Sequence, residues 1–178
     1  GQAEHLSDLG FDDAGEMLKA YADGVEPGDI TNREGHAAKV YFNNIFGETA
    51  SRRTESFENA CLNYGYAVLL SAFNREITAC GYLTQLGIWH CNEYNDFNLA
   101  CDLMEPLRII VDRKMMTLKE GECDFKREMA EVLNAAAVSG GKRTTLDIAI
   151  RNYVRSAMRY LGNGGGELLF PEDVHFVK

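Results

Sequence analysis

Apolar residues along this chain recur mostly three and four apart, the spacing of helices that turn one face to a core. The longest such pattern runs from Ser56 to Ala79 and is apolar nearly all round between Ala60 and Phe73, which predicts a central buried helix. Asn63, Tyr64 and Gly65 interrupt it, and a buried Asn or tyrosine hydroxyl there needs partners, in a core network or at a site. Upstream, residues 4 to 22 read as an acidic helix with a thin stripe of Leu6, Leu9, Met17, Leu18 and Tyr21, interrupted near Gly10 and Gly15 and ended by Gly24 to Asp29. A second helix starts at Thr31 or Asn32 and runs to Gly47. Thr31 followed three residues later by Glu34 is a capping-box pattern that gives Glu34 a purely structural role.

Downstream of the central helix, Gly81 acts as a cap and Tyr82 to Trp89 form a short, partly extended segment leading to His90. A helix follows from Phe97, with Ala100, Cys101, Met104 and Val111 on its core face, widened by Leu103, Leu107 and Ile110. Pro106 lacks the N–H that would reach the carbonyl of Asp102, so this helix has to kink or restart. A short helix is predicted near 125 to 137, ended by Ser139-Gly140-Gly141. The last begins at Thr144 or Thr145, with Leu146, Ile150, Tyr153, Val154, Ala157 and Leu161 as its stripe. The glycines at 162 to 166 read as a flexible tail, since they lack the Gly-Lys-Ser/Thr ending of a phosphate loop. The expected class is mainly α, a compact multi-helix domain.

Composition narrows the class without naming a chemistry. The 178 residues, 46% apolar and 10% aromatic, suit a globular domain with a full core. No apolar run approaches a membrane span and no leader pattern opens the chain, so a soluble cytoplasmic protein is expected. Five cysteines without a C-x-x-C pair suit neither a disulfide framework nor a zinc cluster and read as reduced core residues.

Charge is distributed unevenly. The net charge is −9, but nine acids between Gly1 and Glu34 face only Lys19 and Arg33, whereas five basic residues between Lys142 and Arg159 face only Asp147. Arg151, Arg155 and Arg159 recur every four residues on one side of the last helix, a row suited to a phosphate backbone or to plain solvation. Arg52 and Arg53, in the polar loop Glu48 to Glu55, carry the same two readings.

The densest chemistry lies between Gly87 and Arg113, where His90, Asp102 and Glu105 are three potential metal ligands on one turn and helix. Asp102 and Glu105 share an edge, and the break at Pro106 re-aims both carboxylates. Spacing alone also allows a solvated acidic edge and a hydrogen-bonded turn histidine.

Four linked blocks, NREGHAAKVYFNNIFG from Asn32, LNYGYAVLLSAFNREI from Leu62, GYLTQLGIWH up to His90 and NDFNLACDLMEPLRIIVD from Asn95, resemble the CRISPR-associated spacer-acquisition integrase, the Cas-one family, in its type II-like form. The resemblance spans roughly residues 30 to 113. It implies a helical metal-dependent catalytic domain over 30–178, preceded by an acidic linker helix over 1–29, with the family's N-terminal β-rich domain absent. It also implies a divalent metal, Mg²⁺ or Mn²⁺, bound by Glu34, His90 and Glu105, with Asp102 as the adjacent acid and Asn63 and Tyr64 beside the metal or on DNA.

The implied reaction is attack of a spacer 3′-hydroxyl on a repeat phosphodiester, by an integrase and endonuclease of antiviral defence. The implied partners are spacer and repeat DNA, a companion Cas-two subunit and, in the full-length protein, a second protomer; whether this chain alone dimerises stays open. Arg108, Arg113 and Lys114, with the row Arg151, Arg155 and Arg159, are the candidates for DNA phosphates on charge position. The alternative from another class is a non-catalytic helical protein-interaction module whose acidic tract docks a basic partner.

Overall fold

The computed structural model describes residues 1–25, 31–47 and 55–176, which excludes the loop arginines Arg52 and Arg53. The chain forms two compact units, Gly1–Glu55 and Ser56–Lys178. Contacts therefore divide it after Glu55, whereas the sequence suggested a boundary after residue 29.

In the first unit, α1 (Gln2–Asp8), α2 (Asp12–Asp23) and α3 (Arg33–Phe46) pack on one another. The break between α1 and α2 lies at Gly10, whose φ of 85° is the left-handed region that glycine occupies without strain. Gly15, expected as a second break, instead lies buried inside α2. A Cβ there would stand 2.6 Å from Ser7 Oγ and 2.9 Å from the Ala3 carbonyl oxygen, so the glycine permits the close crossing of α1 and α2. The thin stripe is completed from α3. Leu6 and Leu18 are buried with Tyr41, and the Tyr41 hydroxyl lies 2.8 Å from His5 Nδ1, which satisfies two buried polar groups together.

The second unit is built round α4 (Phe57–Ala79), capped by Ser56, whose Oγ accepts from the Asn59 N–H at 3.2 Å. Cys61, Leu62, Gly65, Leu69, Ala72, Phe73 and Ile77 are buried along it. Asn63 and Tyr64 are exposed, contrary to the expectation of a helix buried all round, so their polar groups face no desolvation problem. Around α4 pack α5 (Asn98–Met104), α6 (Arg108–Met115), α7 (Phe125–Ala130) and α8 (Leu146–Asn163). Between α5 and α6 the chain forms a 3₁₀ turn, Glu105–Leu107, as Pro106 requires. Among the described residues no helix is long and apolar enough to cross a membrane.

The mainly helical class holds, with a small sheet that periodicity did not reveal. The helix expected to 137 ends earlier, and Ala136–Ser139 (β1) pairs antiparallel with Lys142–Thr145 (β2). Gly140 and Gly141 join them with φ of 55° and 73°, the two positive angles of a tight hairpin turn. The glycine-rich segment also departs from its expected role as a flexible tail. After Gly164 closes α8, the Leu169 N–H donates to Ser156 Oγ at 2.9 Å, the Phe170 ring packs edge-on against Tyr153, and Glu172–His175 (β3) pairs with β1, giving the order β2-β1-β3. Of the five free cysteines only Cys61 is buried, its thiol pushed up to about 11 chiefly by burial; Cys91 is exposed.

At Gly65 α4 comes close to α6. A Cβ there would lie 2.4 Å from Val111 Cγ1 and 3.1 Å from Met129 Sδ, and Val111 is stiff and fully buried. Gly65→Ala is expected to destabilise the protein, because overpacking at about 1–3 kcal/mol outweighs the roughly 1 kcal/mol that alanine adds in a helix. A urea titration in which the variant proves more stable would show that the helices can separate to admit a methyl group.

Candidate active site

The segment between Tyr82 and Phe97 has little regular structure, and polar side chains hold it in place. Thr84 Oγ1 donates to the Asp96 carbonyl at 2.7 Å, and the buried Asn98 amide donates to the carbonyls of Gln85 at 3.0 Å and Asn92 at 2.8 Å. At the tip of this segment Asp102, from α5, gathers four donors. Its Oδ2 accepts from the Ile88 N–H and, at 3.0 Å, from the Trp89 N–H, while Oδ1 accepts from the His90 N–H at 3.0 Å and pairs with His90 Nδ1 at 2.5 Å. The turn is so tight that a Cβ on Gly87 would fall 2.2 Å from the His90 carbonyl oxygen.

Burial alone would raise the Asp102 carboxyl, but the N–H groups of Trp89, His90 and Ile88 and the His90 ring outweigh it and hold the group below the usual carboxylate range. An ionised Asp102 accepts the proton on His90 Nδ1. A neutral imidazole has one N–H, so Nε2 then carries the lone pair. The His90 side chain is 36% exposed while that of Asp102 is 7% exposed, so the acid is interior and the ring reaches solvent. A carboxylate behind an imidazole is the arrangement that fixes histidine ligands toward metal ions.

Glu105 is placed differently. On the 3₁₀ turn it is 42% exposed and pairs with Arg108 at 3.0 Å, so the break at Pro106 sends Asp102 inward to the turn and Glu105 outward to a guanidinium. The two acids share an edge in sequence but serve different partners. Glu34 lies in the first turn of α3, where Asn32 rather than Thr31 is the N-cap and makes no side-chain cap bond, so the predicted capping box does not form. Glu34 belongs to the first unit; His90 and Glu105 belong to the second. Among the described residues no three His, Cys, Asp or Glu side chains are gathered closely enough to hold a metal ion. The donors singled out are one imidazole nitrogen and carboxylate oxygens, a set that suits Mg²⁺ or Mn²⁺ in chemistry.

The cationic candidates separate by their partners. Lys114 is 14% exposed and pairs with Glu128 at 2.7 Å, an engagement within the fold. Arg108, besides its pairing with Glu105, lies 5.5 Å over the Tyr66 ring, whose hydroxyl donates to the buried Asp112. Arg113 is half-buried at the end of α6 and has a partner of its own. In the last helix Arg151 lies 3.6 Å from the buried Glu76 and 3.9 Å from Asp147, whereas Arg155 and Arg159 are exposed and meet no carboxylate among the described residues. The row of three therefore offers two guanidinium groups. Asn63 and Tyr64 share an exposed stretch of α4, with Tyr64 edge-on to Phe125.

Residues 11–137 match the family described as "CRISPR associated protein Cas1". A "CRISPR-associated endonuclease Cas1" of Neisseria meningitidis serogroup C (strain 8013) is 44% identical over 119 residues, covering 67% of this chain and 39% of that protein. A "CRISPR-associated endonuclease Cas1 1" of Francisella tularensis subsp. novicida (strain U112) is 33% identical over 102 residues, covering 52% of this chain and 32% of its own. The chain thus spans well under half the length of these relatives. In fold it resembles a solved "Casposase bound to integration product", with a TM-score of 0.73 at 20% identity over 94% of this chain and 62% of that one. It also resembles a "Partial Cas6-RT-Cas1--Cas2 complex", with a TM-score of 0.74 at 18% identity over 98% and 65%.

Asp102→Asn tests the clamp. The depressed carboxyl stabilises the fold above its unfolded value near pH 4, and that stabilisation is lost as pH falls through the folded value. At pH 7 the variant is expected to lose about 1–3 kcal/mol in urea denaturation, since the amide is uncharged and cannot accept all four bonds. Wild type and variant should converge as pH drops below about 4. A gap of the same size at pH 7 and pH 3 would show that the charge is not what holds the turn.

Proposed function

The chain belongs to the CRISPR-associated Cas1 family, and from that premise we propose that it carries the catalytic site of a metal-dependent DNA integrase and endonuclease of CRISPR adaptation. The observation that carries the proposal is the clamp on His90, because a carboxylate on Nδ1 leaves Nε2 with its lone pair on a ring that reaches solvent.

The family resemblance implies Glu34, His90 and Glu105 as metal ligands; for the second unit we propose His90 and Glu105, with Mg²⁺ or Mn²⁺ as the ion. When bound, the ion would polarise the attacking hydroxyl and offset charge at phosphorus. The proposed reaction is a transesterification. The 3′-oxygen of a spacer strand forms a bond to phosphorus in the repeat, the bond from that phosphorus to the repeat's own 3′-oxygen breaks, and the hydroxyl proton ends on the departing oxygen or in water. The number of phosphodiester bonds is unchanged, so no energy source is required. With water as the nucleophile the same displacement is endonuclease cleavage.

In this reading the protein's own residues do three things. Asp102 holds His90 in one tautomer and one orientation, removing the ordering cost from the moment of ligand binding. Arg108 pairs with Glu105 until substrate arrives and is then placed to meet a phosphate oxygen. The exposed Asn63 and Tyr64 provide contacts to DNA. The proposed partners are spacer and repeat DNA, a Cas2 subunit and a second protomer; the likeness in fold to chains of Cas1–Cas2 complexes supports the subunit.

Calorimetry with Mn²⁺ is the direct test. Wild type is expected to bind; His90→Ala should abolish the heat, and Glu105→Ala should weaken it about 10-fold or more. Glu105→Ala should also remove metal-dependent cleavage of branched DNA. Undetectable Mn²⁺ binding by the wild type, or binding indifferent to His90, would favour the non-catalytic interaction module instead.

A further inference from the structure

The candidate site uses none of the five cysteines, and two of them lie together in the second unit. Cys61 is fully buried on α4, one turn before Gly65, and Cys123 is half-buried just ahead of α7.

The packing of α7 on α4 sets them side by side. The Phe125 ring meets Phe57 edge-on at 6.0 Å and Tyr64 edge-on at 6.2 Å, and positions 57, 61 and 64 share one face of a helix. Phe125 therefore covers the turn that carries Cys61. One turn further along, Met129 Sδ would lie 3.1 Å from a Cβ on Gly65. The chain thus ascends α4 from Phe125 to Met129, and Cys123, two residues earlier, falls at the level of the turn from Phe57 to Cys61. The electrostatics agree, since burial first, then Cys123 and Glu58, push the Cys61 thiol up to about 11.

The two thiols differ in freedom. Cys61 is fixed on a 23-residue helix. Cys123 lies on a segment without helix or strand, turned at Gly121 with φ of 78°, and its Sγ makes a weak bond to the Lys119 carbonyl at 3.9 Å. A disulfide needs Cα atoms about 4.4–6.8 Å apart, and an irregular segment can adjust to that while α4 stays in place.

We propose that Cys61 and Cys123 are a redox-responsive pair that closes to a disulfide across α4 and α7 and reopens on reduction. The proposal is independent of the chemistry at His90. The oxidant is a low-molecular-weight disulfide of the glutathione class. Cys123, the accessible thiol, attacks it as the thiolate, so that one small thiol leaves and the other half stays on Cys123. Cys61 then attacks Cys123 Sγ, the second small thiol leaves, and the two cysteine protons end on the released thiols. Two cysteines are oxidised and one small disulfide is reduced. The bridge encloses about sixty residues, among them His90, Asp102 and Glu105, so it restrains the unfolded form of the whole segment that builds the candidate site.

The test is incubation of the unmodified protein with glutathione disulfide, followed by peptide mapping without reduction and by thermal unfolding. A peptide joining Cys61 to Cys123 is expected, in a protein lighter by two hydrogens. The unfolding midpoint should rise by about 5 °C or more and return on adding dithiothreitol. Because the Cys61 thiol is weakly acidic, the mixed disulfide on Cys123 should accumulate at pH 7, and closure should quicken about tenfold per pH unit toward about pH 10.

Cys123→Ser should abolish the bridge, and Cys61→Ala should stop the reaction at the mixed disulfide on Cys123. Cys91→Ser removes the exposed thiol and should leave the bridge unchanged. The proposal is overturned if Cys123 pairs with Cys91 or with a second copy of the chain, if the mixed disulfide stays unresolved at about pH 9, or if closure fails to raise the midpoint.

Discussion

One buried carboxylate organises the candidate site of the second unit. Asp102 accepts from three consecutive backbone N–H groups and from an imidazole, so a segment without helix or strand acquires a defined shape from a single side chain. Each accepted bond replaces one that the carboxylate would have made with water, and four of them offset its burial. The position of His90 depends on this arrangement, and so does the exposure of Ile88 and Trp89, whose backbone is held while their side chains stand in solvent. Asn98 and Thr84 repeat the principle on a smaller scale, tying carbonyls of the same segment to the core. The rigid part is α5, packed on α4; the loop takes its form from that helix.

Helices were legible in the sequence where packing follows periodicity. The span of α4, the restart at Pro106 and the start of α8 at Thr145 all follow from local rules of stripe, cap and missing N–H. What was not legible depends on partners far along the chain. Ala136–Ser139 is alanine-rich and reads as helix, yet it is a central strand because β2 and β3 flank it. Gly15 looks like a breaker and is a close-packing site, since only the position of α1 decides which of the two it is.

The site was legible in part, for a similar reason. His90, Asp102 and Glu105 could be named together from their neighbourhood as potential metal ligands, but not that Asp102 would take up the loop amides and so serve the histidine. Glu105 and Asp102 at three-residue spacing looked equivalent; the 3₁₀ turn separates their roles. Gly87 and Asn98 left no motif, because a tight reversal and an amide bridging two carbonyls require only that one small residue and one amide occupy the right places. Charge position was the weakest guide. Arg151 and Lys114 looked like their neighbours in the sequence, and buried or half-exposed acids claimed both.

The strand order β2-β1-β3 has a consequence for how the chain is made. The hairpin of β1 and β2 is local and can form as soon as Thr145 is available, but the other edge of β1 waits for a strand some thirty residues later. On the ribosome that interval is spent with Ala136 to Val138 presenting unpaired backbone groups, while α8 emerges and folds back over α4. The final segment then acts as a latch, closing the open ladder and laying Phe170 on Tyr153 in the same movement. Chains that stall before residue 172 would carry an open sheet edge, the kind of surface that quality control and neighbouring nascent chains both recognise.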